Sequence, residues 1–252
     1  MSKYDLKDKI AIVTGGGRGI GKGIALEYAK VGANVVVASR NKENLEEVAA
    51  EIKALGQESL VVVTDVTIPE QVDNLVKQTV DRFGRIDILV NNAGVGDTMR
   101  LSKLEELSPE AWRATIDLNL TGTFICSTAV GRVMIAQKKG KIVNISSVVG
   151  IYAQPILPHY SASKAAINSL TVSLAMGWAQ YDINVNAIAP GSIVTERHHT
   201  NVKTVADDGT PIPRLQLPGS TEDVGHLAVF LASEASDHIS GEIMGIMGLM
   251  RT

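Results

Sequence analysis

Three polar side chains, Ser147, Tyr160 and Lys164, have the types and spacing to handle the proton of a carbonyl/alcohol pair. Tyr160 and Lys164 stand four residues apart near the start of a helical pattern, so they share one helix face. A phenol, with a reference pKa of about 10, is a poor acid–base group at neutral pH, but a neighbouring ammonium favours the phenolate and brings it into range. Ser147 closes the run Asn144-Ile145-Ser146-Ser147, where its hydroxyl can bond an oxygen on which charge develops. Taken singly, each has an ordinary reading, since YxxxK arises by chance and a serine after a strand is usually a turn residue. Their weight comes from the elements that must position them.

Short apolar runs rich in Val and Ile, at 10–14, 34–38, 60–63, 86–90, 141–145, 184–188 and 242–246, read as strands covered on both faces. Helical patterns separate them at 21–31, 42–54, 70–83, 109–137, 161–180 and 221–232. Pro69 and Pro109 suit first-turn positions, Ser108 suits an N-cap, and Gly32, Gly56 and Gly84 fall where helices should stop. This alternation predicts an α/β fold, a Rossmann-type doubly wound, seven-stranded parallel sheet with helices on both faces. No repeat or linker divides the chain, so 1–252 is expected to be a single dinucleotide-binding and catalytic domain. The pattern lapses only at 195–218, a proline-rich segment that reads as a substrate loop.

The first strand runs into Thr14-Gly15-Gly16-Gly17-Arg18-Gly19-Ile20-Gly21, directly before a helix. Glycines there let the backbone approach a pyrophosphate seated on the helix N-terminus. The spacing is GxxxGxG rather than GxGxxG, so the evidence lies in the strand–turn–helix context. The second strand ends at Ser39-Arg40, where a dinucleotide fold places an acid for a ribose hydroxyl or an Arg for a 2′-phosphate. Arg40, with Arg18 as a second cation, favours NADP over NAD, and the run carries no acid. Asp65-Val66 closes the third strand, with Asp65 either accepting from the adenine amino group or serving as a turn residue. The fourth strand ends in Asn91-Asn92-Ala93-Gly94, small residues suited to a ligand crossing the sheet edge.

At this point the chain resembles the short-chain dehydrogenase/reductase family, in its single-domain branch. The resemblance spans at least 10–195 and 221–241 through TGGGRGIG, NNAG, Asn119 in NLTGTF, NISS followed by YSASK, and PGSIVT. Asn119 precedes Ser147 by 28 residues and Ser147 precedes Tyr160 by 13, spacings common in that family. The resemblance implies a tetrad: Tyr160 as general acid/base, Lys164 on the nicotinamide ribose and lowering the Tyr160 pKa, Ser147 orienting the carbonyl, and Asn119 holding a relay water. It also implies that Pro190, Gly191, Ile193 and Thr195 bracket the nicotinamide. The reaction expected is interconversion of a ketone and a secondary alcohol with NADPH. The alternatives are an NAD-dependent sugar or polyol dehydrogenase and a non-catalytic nucleotide-binding redox sensor.

Two stretches depart from the family pattern. Met247 and Leu249 stand where Asp and Gly are usual, in a tail that would touch a subunit interface. Acyl-carrier reductases of the family tend to carry an Arg before their Gly-Ile-x-Val-Asn run; here it reads Gln180-Tyr181-Asp182-Ile183-Asn184, which counts against an acyl-carrier partner. Residues Ile151, Tyr152, Gln154, Ile156, Leu157 and His159 are expected to wall a pocket for a small or medium ketone. His198 and His199 lack further ligands, so no metal site is expected, and they read as solvated loop residues. The assembly implied is a homo-oligomer, a tetramer rather than a dimer.

A formal net charge of -3 with no basic block excludes a nucleic-acid surface. No uncharged apolar stretch reaches about 18 residues, and the start lacks a signal-like run, so no membrane partner is expected. The one cysteine, Cys126 in an apolar stretch, excludes an intrachain disulfide and points to a cytoplasmic protein, with the thiol as packing rather than nucleophile.

Overall fold

The computed structural model describes residues 3–95, 103–196, 202–206 and 208–246. Met247, Gly248, Leu249, His198 and His199 therefore lie outside the described residues. In chain order the first half runs β1 (Ile10–Thr14), α1 (Gly19–Lys30), β2 (Asn34–Ser39), α2 (Lys42–Ala54), β3 (Ser59–Val63), α3 (Pro69–Phe83) and β4 (Ile88–Asn91). Then come α4 (Pro109–Ile116), α5 (Gly122–Gln137), β5 (Gly140–Ile145), α6 (Pro158–Trp178), β6 (Ile183–Pro190), α7 (Thr221–Ala232) and β7 (Ile243–Ile246). The strands form one seven-stranded sheet in the order β3-β2-β1-β4-β5-β6-β7, parallel at every pairing. This is the Rossmann-type doubly wound fold expected from the alternation.

The strand period of two divides the core. Ala11, Val13, Val35, Val37, Val143 and Ile145 pack beneath α1, α2 and α7. Ile12, Val36, Ala38 and Ile142, one position out of step, pack beneath α3, α5 and α6. Both faces are thus covered, which is why the strands read as unbroken apolar runs. The caps also follow the sequence: Ser108 accepts from the Ala111 N–H at 3.2 Å, Pro69 and Pro109 open α3 and α4, and Gly84 ends α3 in the left-handed region at φ 75°.

Several bounds shift by one to three residues, α6 starting at Pro158 and β6 ending at Pro190, and two elements differ for a reason visible in their bonding. The strand predicted at 86–90 is found at Ile88–Asn91. Ile86 is fully buried, but Gln137 accepts from its N–H at 3.1 Å and donates to its carbonyl at 2.7 Å, so a side chain takes the place of the ladder. The helix predicted over 109–137 is interrupted by a π-helical turn at Asp117–Thr121. The run Pro109–Gln137 has the length and apolarity of a membrane span, yet half of its most apolar window is buried inside the molecule. That places it as a core helix pair packed on the sheet.

Beyond the sheet edge, the segment after β6 leaves and returns at a fixed neck. The Val194 N–H donates to the Gly219 carbonyl at 2.8 Å, and the Gly219 N–H donates to Ser192 at 2.9 Å. These two bonds tie Ser192 and Val194 to Gly219 beside the carboxyl ends of the strands.

Candidate active site

β1 lies between β2 and β4, so the chain reverses its direction across the sheet at the β1/β4 pair. Such a switch point opens a crevice at the carboxyl edge, and a cleft of about 660 Å³ lies there. Thr14, the last residue of β1, fixes its floor: its hydroxyl donates to the Val90 carbonyl at 3.2 Å and accepts from the Asn92 and Ala93 N–H groups at 3.0 and 3.1 Å. Asn92 donates back to the Thr14 and Gly15 carbonyls at 3.0 and 3.2 Å. The glycine turn and the NNAG turn are thereby one unit.

Gly21 shows why that unit tolerates no side chain. A Cβ there would stand 2.3 Å from the Gly15 carbonyl oxygen and 2.4 Å from Asn92 Nδ2. Gly15 itself takes φ 64°, a conformation that favours glycine. Gly15, Arg18, Gly19 and Ile20 line the cleft, whereas Gly21 supports it from behind. The first residues of α1, Gly19 and Ile20, line the cleft, and Glu196 accepts from the Gly19 N–H at 3.2 Å.

At the β2 end, Ser39 and Arg40 line the cleft with Asn41 and Asn44. The Arg40 side chain is 72% exposed, and Asp65 Oδ2 lies 3.8 Å from its Nη1. An acid thus does stand beside Arg40, contributed by the end of β3 rather than β2. The other Asp65 oxygen accepts from the Thr67 N–H at 3.0 Å and hydroxyl at 2.7 Å, the turn role left open for it. Burial pushes the Asp65 carboxyl up, but these bonds and the Arg40 charge outweigh it and hold it below its ordinary value.

The opposite end carries the three groups whose types suit proton handling. Ser147, Tyr160 and Lys164 all line the cleft, as do Asp65, Val66, Asn92, Ala93, Gly94, Pro190, Gly191, Ile193 and Thr195. Lys164 is buried, its Nζ 5.5 Å from the Tyr160 ring centroid and donating to the Ile145 carbonyl at 2.8 Å. Desolvation pushes its ammonium down to about 8. The Ser147 hydroxyl donates to the Pro190 carbonyl and accepts from the Val149 N–H, both at 3.4 Å, long bonds that a substrate oxygen can displace. Gly150 lets this loop close on α6, since a Cβ there would lie 2.7 Å from the Lys164 carbonyl carbon.

Asn119 differs from the other three. It is fully buried and lies behind Gly94 rather than in the cleft wall, accepting from the Val95 N–H at 2.9 Å and donating to Ser163 Oγ at 2.9 Å.

The family of short chain dehydrogenases matches residues 9–206 of this chain. A 3-oxoacyl-[acyl-carrier-protein] reductase of Synechocystis sp. is 41% identical, the match covering 97% of this chain and 98% of the relative. An NAD-dependent glycerol dehydrogenase of Listeria innocua is 40% identical over 97% of this chain and 94% of its own length. Among solved structures, a short-chain type dehydrogenase/reductase from Mycobacterium marinum superposes with TM-score 0.86 at 35% identity, over 98% of each chain. The chain is a short-chain dehydrogenase/reductase.

As such it is an oxidoreductase that acts on a CH–OH group with a nicotinamide cofactor. None of the residues expected to wall the substrate pocket lines this cleft: Ile151, Tyr152 and Ile156 are exposed, while His159 is buried in the first turn of α6. Burial lowers the His159 pKa, and its Nδ1 has no hydrogen-bond partner. Sequence reasoning passed over Thr14, which reads as a strand-end residue, and Asn44, whose Cβ packs 3.1 Å from where a Cβ on Gly17 would stand. Cys126 is buried with its thiol pushed up to about 12 by desolvation, consistent with packing rather than chemistry.

Proposed function

We propose that this short-chain dehydrogenase reduces a ketone to a secondary alcohol, reversibly, with NADPH. One observation carries the reading: the cleft that begins at a glycine turn and Arg40 ends at Ser147, Tyr160 and Lys164. The residues fit the cofactor. Gly15 and Gly21 let the turn close where a Cβ would strike Asn92 or the Gly15 carbonyl, and a Cβ on Gly19 would meet only Thr195 at 3.6 Å; the α1 N-terminus suits a pyrophosphate, and Arg40 with Arg18 suits a 2′-phosphate. When bound, the nicotinamide supplies or accepts the hydride.

The chain's own groups move and steady the proton. In reduction the Tyr160 hydroxyl donates its proton to the ketone oxygen, and in oxidation its phenolate takes the alcohol proton. The Ser147 hydroxyl exchanges its long bond to Pro190 for one to the same oxygen, which steadies the developing charge. The Lys164 ammonium, held by the Ile145 carbonyl, favours the phenolate and offers its other donors to a ribose. The water assigned to Asn119 would have to share an acceptor, because its carboxamide is engaged on both sides and its backbone carbonyl already accepts from the Thr123 hydroxyl at 2.7 Å.

We infer that residues 195–218 form the substrate loop of a single domain, and that the substrate is a small or medium ketone. The acyl-carrier reductase relative supports a ketone, though Gln180-Tyr181-Asp182 carries no Arg for an acidic carrier. The Listeria relative favours a second reading, an NAD-dependent polyol dehydrogenase. Assembly as a homotetramer would give the exposed Phe124 of α5 and Met176 of α6 an apolar face to bury. A cytoplasmic site fits the single buried thiol. The test is Tyr160→Phe: turnover on a ketone panel should vanish while NADPH binding persists. Retained turnover would remove Tyr160 from the role of acid.

A further inference from the structure

We propose that Ser163 is a positioning residue for Tyr160, the last link of a buried hydrogen-bond chain running from the cleft floor to the backbone of the acid. The inference rests on Tyr160 acting as that acid.

The direction of every link is forced. The Val95 N–H can only donate, and it reaches Asn119 Oδ1 at 2.9 Å. That fixes the carboxamide, so Asn119 Nδ2 is the atom facing Ser163 Oγ at 2.9 Å. An amide nitrogen only donates, so the Ser163 oxygen accepts and its single proton goes to the Tyr160 carbonyl at 2.8 Å. Asn119 and Ser163 are both fully buried, where directional bonds are stronger than in water and an unmade one is costly.

A hydroxyl inside a helix ordinarily bonds back one turn and does nothing more. Ser173, on the same helix, does this from an exposed position, donating to the Ser169 carbonyl at 3.1 Å. Ser163 differs in two ways: its acceptor is the backbone of Tyr160, and Asn119 fixes the direction of its proton from outside the helix. Gly94 keeps the chain open, since a Cβ there would press within 2.9 Å of Asn119 Oδ1 and dislodge the carboxamide from Val95. Val95 directly follows the NNAG turn and itself lines the cleft. The chain therefore ties the first turn of α6 to the surface that would carry the cofactor, and sets where the Tyr160 hydroxyl stands against it.

The experiment compares Ser163→Ala and Ser163→Cys by steady-state kinetics and NADPH fluorescence titration. Ser163→Ala should lower kcat roughly ten- to a hundredfold, as a small misplacement of a reacting group does, with ketone KM and NADPH Kd within about twofold. Ser163→Cys keeps the volume with a weaker donor and should fall between. Asn119→Ala with Ser163→Ala should lose no more kcat than the worse single variant, because both cut one chain. Wild-type kcat in Ser163→Ala, multiplicative losses in the double variant, or a Kd that weakens in step with kcat would each overturn the proposal. If Ser163→Ala does not fold, Ser163→Cys decides: wild-type kcat there overturns it. Tyr160→Phe runs alongside; if it keeps turnover the acid assignment fails, whereas its inactivity beside an unaffected Ser163→Ala defeats only this inference.

Discussion

The proposed preference for NADPH over NADH rests on Arg40, and its size can be worked from its surroundings. A hydrogen-bonded charge pair contributes about 1.5–3 kcal/mol, but a guanidinium 72% exposed meets solvent screening that pulls it to the low end. Asp65, 3.8 Å away, subtracts further by repelling an incoming phosphate. A net contribution of about 1.4 kcal/mol, or tenfold, remains for the 2′-phosphate. Arg40→Ala should therefore lower kcat/KM for NADPH about tenfold and leave NADH within about twofold. Arg40→Asp goes further, because it sets an acid where a ribose 2′-hydroxyl would bond, and the preference should invert. Asp65→Asn should move the other way and improve NADPH by a few-fold. The assay is initial rate against each cofactor at saturating ketone, repeated at low and high salt. An exposed contact should lose its preference as salt rises. A wild-type preference for NADH, or equal losses for both cofactors in Arg40→Ala, would refute the reasoning and favour the polyol dehydrogenase reading.

Three further outcomes follow from the same geometry. Gly21→Ala should abolish NADPH binding in a fluorescence titration, because its Cβ would stand 2.3 Å from the Gly15 carbonyl oxygen; retained binding would mean that the cradle yields. Glu196→Gln should tighten NADPH binding about two- to fivefold, because it removes an anion from the α1 N-terminus where the pyrophosphate would sit; unchanged or weaker binding would show that Glu196 does not compete. For Lys164, burial sets the folded ammonium at about 8, below the ordinary lysine value of 10.5. Activity that needs the ammonium should thus fade as pH rises through about 8. Stability moves oppositely: between the two values the unfolded chain binds the extra proton, so the cost of burying the charge is relieved as pH rises. Urea midpoints should show Lys164→Met gaining more over wild type at pH 7 than at pH 10; a gain that grows with pH would reverse the assignment.

Much of this was legible in the sequence because the signals are local. A parallel strand covered on both faces must be a block of Val and Ile, so all seven strands stand out, and Pro69, Pro109 and Gly84 mark helix ends through backbone constraints of their own. The cleft-lining glycines and Arg40 are legible for the same reason, since a turn after a strand has few uses for Gly15 and Gly19 together. The unread parts depend on partners distant in sequence. Nothing near Asn119 announces a π-turn, because the apolar periodicity continues through it. Ile86 looks like strand until Gln137, 51 residues later, takes its backbone. Asp65 beside Arg40 and Glu196 on the α1 N-terminus are meetings of separate strand ends. His159 shows the converse error: adjacency to Tyr160 suggested a pocket wall, but successive helix positions point different ways.

The buried amides behind the site explain why Tyr160 and Lys164 face the cleft at all. An apolar core between β4, β5, α5 and α6 would be no less stable, since buried polar groups gain little net free energy even when paired. Yet Asn91 of β4 donates to Ser127 of α5 and to Asn144 of β5, each at 2.9 Å, and Asn144 donates to Thr171 of α6 at 2.9 Å. Asn91 Oδ1 is even left without a partner, which is a further cost. What these bonds supply is direction. Tyr160, Lys164, Ile167 and Thr171 fall on one stripe of α6 by helical period, so the bond from Asn144 to Thr171 sets the rotation of the helix about its axis. The Ser163 chain then sets the first turn, and the carbonyl of Ile145 holds Lys164. Hydrophobic contacts tolerate a helix sliding or turning slightly, whereas a buried hydrogen bond does not. The polar core is therefore the part of the fold that turns a packed helix into one that presents Tyr160 and Lys164 to the same cleft.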